Sequence, residues 1–447
     1  MTTMLHNTKA ETVGEQMHAL AADLFPLCRS MTGNGVRETL SRLAELIPLT
    51  LHEVPSGTKA FDWEVPREWN IRDAFIENES GQKIVEFRAS NLHVVGYSAP
   101  VCATLSWSDL KPHLHTLPDR PDWIPYRNSF GKEDWGFCLT HRQYQQLESL
   151  GNCTYKVCID SSLQSGSLTY GEVLLPGETD DEVLISTHVC HPSLANDNLS
   201  GIAVAAYLAK GLLNQERRYS YRFLFLPATI GAITWLSLHR GQTSRIKHGW
   251  VLSGVGDAGA PTYKRSRRDN AEIDRAFACA LRHRSQPGKL LAFEPFGYDE
   301  RQYCSPGFNL PMGCLMRTPA QSYPEYHTSA DNLQFIRPES LADSLSLCQS
   351  VIELLEANRC FVNQNAYCEP RLGPRGLYQA IGTGATARDI QKALLWVLNL
   401  SDGAHSLLDI AERSQLPFGL INQAARLLRE QDLIVPSEHN YSVIHVA

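Results

Sequence analysis

The strongest constraint on this chain is a switch in hydrophobic pattern near Cys153. From there, short apolar runs alternate with helix-period segments. TYKVCIDSSL, GEVLLPG and DEVLISTHV read as strands, and GIAVAAYLAKGLL reads as a buried helix. YRFLFLPA is another apolar strand, followed by the helix TIGAITWLSLHR. HGWVLSGVGDAG, the helical NAEIDRAFACALRHR, the strand MGCLMRTP and the long helix PESLADSLSLCQSVIELLEAN complete the run. Strands interleaved with helices can bury their apolar faces only as a mainly parallel sheet with helices on both faces, an α/β fold.

The flanks follow other patterns. Residues 12–25 and 37–46 have helical apolar spacing. Residues 51–144 hold KIVEFRAS, NLHVVGYS and ATLSWSDL, which alternate like strands, among frequent Pro and Trp. They are read as a β-rich inserted domain between two parts, 1–50 and 145–360, of one α/β domain. Residues 361–447 read as helix, helix, turn, helix and then a strand pair in EHNYSVIHV, the order of a winged-helix domain.

The chain has 447 residues, with 41 Lys and Arg against 48 Asp and Glu, a net charge of −7. That balance argues against a chain-wide surface for nucleic acid. No apolar run approaches the roughly 18–20 residues that span a bilayer, so no membrane partner is expected. The N-terminus, MTTMLHNTKAETVGEQ, lacks the basic start and apolar middle of a secretory signal, so a cytoplasmic protein is expected. The 12 cysteines include no CxxC pair and read as buried thiols. Cys190 stands out because it lies within the strongest motif.

That motif is STHVCHPSLANDNLSG, residues 186–201, where an apolar strand ends and a helix begins. Open α/β sheets bind ligands at the carboxyl ends of their strands. His188, His191 and Asp197 are imidazole and carboxylate groups of the kind that hold catalytic zinc. Small residues after them let the helix start close to a metal. Other strand ends add Asp257 in SGVGDAG, His327 and Glu325 in YPEYHTSADN, and Asp299 and Glu300 in FGYDERQYCSPGFNLP. Together they offer enough ligands for one or two Zn2+ ions. Arg301 is read as a group that could hold a substrate carboxylate through two parallel hydrogen bonds, with a surface ion pair as the alternative. Tyr126, Arg127 and Trp135 could wall a cleft, and KRSRRD at 264–269 is a short basic cluster read mainly as a solvated loop.

The order His188, Asp197, Asp257, His327 resembles the co-catalytic zinc aminopeptidase clan. ANDNLSG resembles its bridging-Asp motif and HTSAD its final-His motif, while YDERQYCSPGFNLP resembles a segment whose Asp, here Asp299, supports the site. A closer resemblance is to a bacterial aminopeptidase-like family once known only as a domain of unknown function. RSMTGNGVRETL (29–40), CHPSLANDNLSG, DERQYCSPGFNLP and EYHTSADN carry it.

The resemblance implies a zinc-peptidase (phosphorylase/hydrolase-like) fold with a β insertion and a C-terminal winged helix. It also implies zinc-dependent hydrolysis of an amide next to a free amine, in a small peptide or amide-containing small molecule. The pathway implied is a dedicated one, polysaccharide or specialised-metabolite biosynthesis. One departure matters. Where the clan has adjacent glutamates, a metal ligand and the general base, this chain reads PATIGA with Ala228 and Thr229. Glu300, and after it Glu325, are the candidate replacement bases, and loss of hydrolysis is the alternative, leaving a binding protein. A ligand-sensing DNA-binding regulator is a third reading. Arg426 and Arg429 lie among Glu430 and Asp432, a poor footprint for DNA, so packing or homo-oligomer formation is the expected winged-helix role.

Overall fold

The structure, a computed structural model, describes residues 12–151, 153–284, 286–377 and 385–437. Two compact units divide it: one runs to Asp269 and resumes over Lys289–Ser346, the other combines Asn270–Gly288 with the chain from Leu347 onward.

The first unit is built on an eight-stranded sheet of β1 (Thr50–Pro55), β2 (Ser167–Leu175), β3 (Glu182–His188), β4 (Ser220–Leu226), β5 (Ile246–Leu252), β6 (Thr262–Lys264), β7 (Lys289–Leu291) and β8 (Met312–Met316). Its spatial order is β1-β2-β4-β3-β5-β8-β6-β7. The central four, β4-β3-β5-β8, are parallel, and antiparallel pairs join them to both flanks. The sheet is thus mixed: the expected parallel pattern holds in the central four strands and again in the edge pair β6-β7. All residues of β3 and β4 are buried, which is why apolar residues dominate both faces of each strand.

Alternate residues serve opposite faces. Leu184, Leu224, Leu226 and Val251 pack with Ile230, Trp235 and Leu236 of the helix Ile230–Leu238. Val183, Ile185, Phe223 and Phe225 point the other way, toward the side taken by the buried helix Gly201–Leu212. Polar groups inside these strands are paired. Arg222 on β4 donates to Glu182 on β3 at 2.7 Å and also meets Glu172 on β2.

The inserted region forms a second, antiparallel sheet of Lys83–Glu86, Glu68–Asn78, Thr154–Gln164 and Val101–Ser106 in spatial order. The two sheets therefore exchange strands across the expected boundaries: Thr50–Pro55 edges the large sheet, and Thr154–Gln164 is central to the small one. NLHVVGYS is not a strand. Ser90 caps a short 3-10 turn at Asn91–His93, and Val94 and Gly96 make only isolated bridges.

Residues 29–40 join the two sheets. Trp69 donates its backbone N–H to Thr32 Oγ1 at 3.0 Å, and Asn70 Oδ1 accepts from Asn34 N at 2.7 Å. Gly33 has φ +95, and a Cβ there would sit 2.1 Å from Trp69 O. Gly33→Ala is therefore expected to cost at least about 2 kcal/mol in urea unfolding. An unchanged midpoint would show that the segment can shift freely.

The second unit holds helices Glu272–Arg282, Ala385–Leu400, Leu407–Ser414 and Phe418–Arg429. A three-stranded sheet of Asp402–Ser406, Cys360–Asn363 and Ile434–Pro436 accompanies them, giving a winged-helix domain. Ser406 and Asp409 form a capping box, and Arg275 bonds Asp409 and Glu412, each at 2.5 Å. The strand pair expected in EHNYSVIHV lies outside the described residues. Among the described residues, no helix is long and apolar enough to cross a membrane.

Candidate metal centre

The carboxyl ends of the central parallel strands share one edge, and the motif residues converge there. His188 is the last residue of β3. The chain then loops through His191 and turns at Asp197 before the helix Gly201–Leu212 begins. Asp197, fully buried, is the hub. Its Oδ1 lies 2.9 Å from His188 Nε2, and its Oδ2 lies 3.0 Å from His327 Nε2 and 3.8 Å from His191 Nε2.

Among the described residues, His188, His191 and Asp197 form the grouping able to hold a metal, with one ligand atom from each within 4.8 Å of the others. Metal–ligand bonds of about 2.0–2.1 Å at a tetrahedral centre put ligand atoms about 3.3–3.4 Å apart. The observed 2.9 Å to Asp197 Oδ1 and 3.8 Å to its Oδ2 lie on either side of that spacing, and the whole set lies within 4.8 Å, so small side-chain shifts would close it on an ion. Protonation states also fit. Burial drives the His191 pKa down to about 3, leaving a neutral imidazole. Burial pushes the Asp197 carboxyl up, but the imidazoles of His191, His188 and His327 outweigh it and hold it well below its ordinary value. The donor set therefore fits a divalent cation of zinc chemistry.

Interior hydrogen bonds hold this geometry. Asp331 Oδ1 accepts from Asn196 N at 2.6 Å and its Oδ2 from Asp197 N at 3.0 Å. Arg29, 2 % exposed, donates to the carbonyls of His191 and Pro192, each at 2.8 Å, and to Leu24 O at 2.5 Å. Asn198 ties the end of β3 by donating to Thr187 Oγ1 at 2.8 Å and His188 O at 3.1 Å. Tyr298 stacks on the His188 ring at 5.4 Å. The His327 loop is zipped to the inserted region, with Tyr126 N donating to His327 O at 2.8 Å and Ser329 N to Ile124 O at 2.8 Å.

A cavity of about 310 Å³ opens over the cluster. His188, His191, His327, Tyr298, Arg301 and Tyr326 line it, with Trp63, Phe130, Met31, Gly297 and Ile230. Ala228 and Thr229 lie in the same wall, at the positions where the resembling clan has carboxylates.

Several expected site residues stand elsewhere. Asp257 is not part of the grouping; its oxygens accept from Asn196 Nδ2, Thr318 Oγ1, Thr318 N and Gly259 N. Those four donors occupy it as a support for the Asn196 turn. Glu300 cannot serve as a mobile base, because it is fully buried and ion-paired with Lys264. Glu325 is absent from the cavity lining and contributes its carbonyl, which accepts from Thr328 N and Oγ1, to the turn presenting His327. Arg127 is exposed and outside the lining. Tyr126 instead packs edge-on to His191 and His327 at 5.2 and 5.1 Å. Trp135 stacks on His113 at 3.7 Å, within the inserted region. In the basic cluster, Lys264 meets Glu300, while Arg267 and Arg268 donate to Asn309.

Asp299 is buried beside the cluster and acts on His188 through its charge. Burial raises its pKa from 3.8 to about 7; the His188 charge opposes this and Glu300 reinforces it. Between those two values the folded chain binds a proton that the unfolded chain has released. Stability therefore falls as pH rises through that window, by about 1.4 kcal/mol per pH unit from this group. Asp299→Asn is expected to gain on the native chain progressively from pH 4 to 7 in parallel urea titrations. A pH-independent difference would contradict the assignment.

Asp331, Asn196 and Arg29 are structural supports that motif spacing did not single out. The two amides flanking Asp197 in ANDN and the Asp in HTSAD were the available signals.

Known proteins of this architecture carry related descriptions. Residues 18–358 match the family described as Domain of unknown function (DUF4910), and residues 359–436 match a winged helix-turn-helix family. The chain is 49% identical over 425 residues, 95% of this chain and 97% of the relative, to a Clostridium acetobutylicum protein. That protein is provisionally named a polysaccharide biosynthesis protein with an aminopeptidase-like domain. A crystal structure from Clostridium acetobutylicum, provisionally described as a peptidase, is 47% identical with a TM-score of 0.90, covering 95% of this chain and 96% of that one. A zinc aminopeptidase from Bacillus subtilis shares the fold at 13% identity and a TM-score of 0.56, over 78% of this chain and 95% of its own. The sequence motifs, the zinc-aminopeptidase fold and these matches agree: the chain belongs to the aminopeptidase-like DUF4910 family with a C-terminal winged helix.

Proposed function

We propose that this chain is a zinc-dependent hydrolase that cleaves an amide bond near a free amine in a small substrate, serving a dedicated biosynthetic pathway. The observation that carries the reading is the convergence of His188, His191 and Asp197 at one strand edge, with both imidazoles lining a cavity, Asp197 buried behind them, His191 neutral and Asp197 ionised. When bound, a divalent cation would supply an acidified water and polarise a carbonyl oxygen. The protein's part is preorganisation. His188, His191 and Asp197 are the holding groups, Tyr298 fixes the His188 ring, and Asp331 clamps the backbone of Asp197. His327, expected as a ligand, stands outside that grouping; hydrogen-bonded to the other carboxylate oxygen and facing the cavity, it is placed to orient Asp197 and to meet the substrate. Trp63, Phe130 and Tyr326 offer aromatic walls.

A second reading has its own support. Among the described residues no carboxylate lines the cavity, and the expected substitute Glu300 is tied to Lys264. A site that grips metal and ligand without a proton shuttle would bind rather than turn over. Zinc content and turnover of a panel of aminoacyl and N-acyl amides separate the two. Hydrolysis abolished by chelator and restored by zinc supports the enzyme; stoichiometric zinc with no turnover supports the binder. Absence of retained zinc sinks both.

A further inference from the structure

We infer that Arg301 makes this cavity selective for ligands carrying a free carboxylate, which narrows the substrate to a short amide bearing its own acid group. The inference rests on the hydrolase reading only for the word substrate.

Other interior arginines of this unit are saturated by acceptors. Arg29 holds three carbonyls, Arg37 bonds Glu53 and Glu68, Arg222 bonds Glu172 and Glu182, and Arg317 bonds Asp343 and the carbonyls of Gly259 and Ser340. Arg301 breaks the pattern. Its Nε–H is buried without an acceptor, it forms no ion pair among the described residues, and its side chain lines the cavity. An unpaired buried N–H on a cation is costly, so its natural partner is one the ligand brings. Asp299, next in space, feels the guanidinium only through its charge.

The cavity wall favours an anion. It holds imidazoles, aromatic rings and Arg301, with no carboxylate among the described residues to repel one. The planar fork of a guanidinium matches a carboxylate through two parallel hydrogen bonds. A space of about 310 Å³ suits a ligand of dipeptide size. In such a ligand the terminal carboxylate lies close to the amide, whereas a long peptide would carry it out of reach.

The test uses the full chain after chelator treatment, so that no metal contributes to anion binding. Calorimetry compares N-acetylphenylalanine with N-acetylphenylalaninamide, and phenyl phosphate with phenol. The native chain is expected to bind the acid at least about tenfold more tightly than the amide. Arg301→Gln should reduce that preference to less than about twofold, with Arg301→Lys intermediate. Unchanged unfolding midpoints and zinc uptake in both variants show that the fold and the metal site persist. Equal affinity for acid and amide in the native chain, or a preference that survives Arg301→Gln, overturns the proposal. Tighter binding of phenyl phosphate than of the acid overturns it in favour of a phosphate site. Acid selectivity in a chain that retains no zinc leaves this inference standing while the hydrolase reading falls.

Discussion

Replacing Asp197 by alanine is expected to weaken zinc binding by at least about a hundredfold. Supporting groups around a metal alone contribute about 10–100-fold, and Asp197 is the only carboxylate in the candidate ligand group. Its loss would also leave His188 and His327 without the acceptor they share, at 2.9 and 3.0 Å. Competition with a chromophoric chelator measures the effect. Cys190→Ala is the control. Its thiol lies 3.8 Å from His191 Nδ1, but burial pushes its pKa up to about 12, so it is protonated at neutral pH and offers no thiolate. Zinc affinity should be unchanged in that variant. Native affinity in Asp197→Ala would remove Asp197 from the ligand set.

Arg29→Ala is expected to cost about 3–5 kcal/mol, the largest stability effect among these substitutions. The guanidinium is 2 % exposed, and its carbonyl partners lie on two separate segments, Leu24 and the His191–Pro192 turn. Burial already lowers its pKa to about 10, a sign of how thoroughly it is desolvated. Truncation would strip the guanidinium from three buried carbonyls, of which Leu24 O and Pro192 O keep backbone donors in Leu27 N and Leu194 N, and would release the turn that carries His191. Zinc affinity should therefore fall together with stability. Urea unfolding measures the first quantity and metal competition the second. A loss below about 1 kcal/mol would mean that water or a neighbour replaces the guanidinium easily.

The parts of the fold legible in the sequence were those written locally. β3 and β4 are buried on both faces, so the VLI of DEVLISTHV and the FLFL of YRFLFLPA carry an apolar signal without alternation. The boundaries of the inserted sheet were not legible, because Thr154–Gln164 pairs with Glu68–Asn78, far back in the chain. Nothing local tells such a strand which sheet it joins. NLHVVGYS misled for a related reason: Leu92, Val94 and Val95 are buried by packing around a turn, not by a ladder.

The site divides in the same way. His188 and Asp197 could be found because a strand end, small residues and ligating side chains share one short segment. Asp257 and Glu300 have the right chemistry in the right kind of loop. Their occupation by Asn196, Thr318, Gly259 and Lys264 is a matter of tertiary partners that no spacing reveals. Ala228 and Thr229 were legible as a departure, and the structure gives that departure a place in the cavity wall.

Anomalous diffraction at the zinc edge, from crystals of the full chain equilibrated with one equivalent of zinc, tests the central claim most directly. A strong peak within bonding distance of His188, His191 and Asp197 is the expected result. Density that places the ion elsewhere, or no peak at that strand edge while these side chains stay as described, would contradict it.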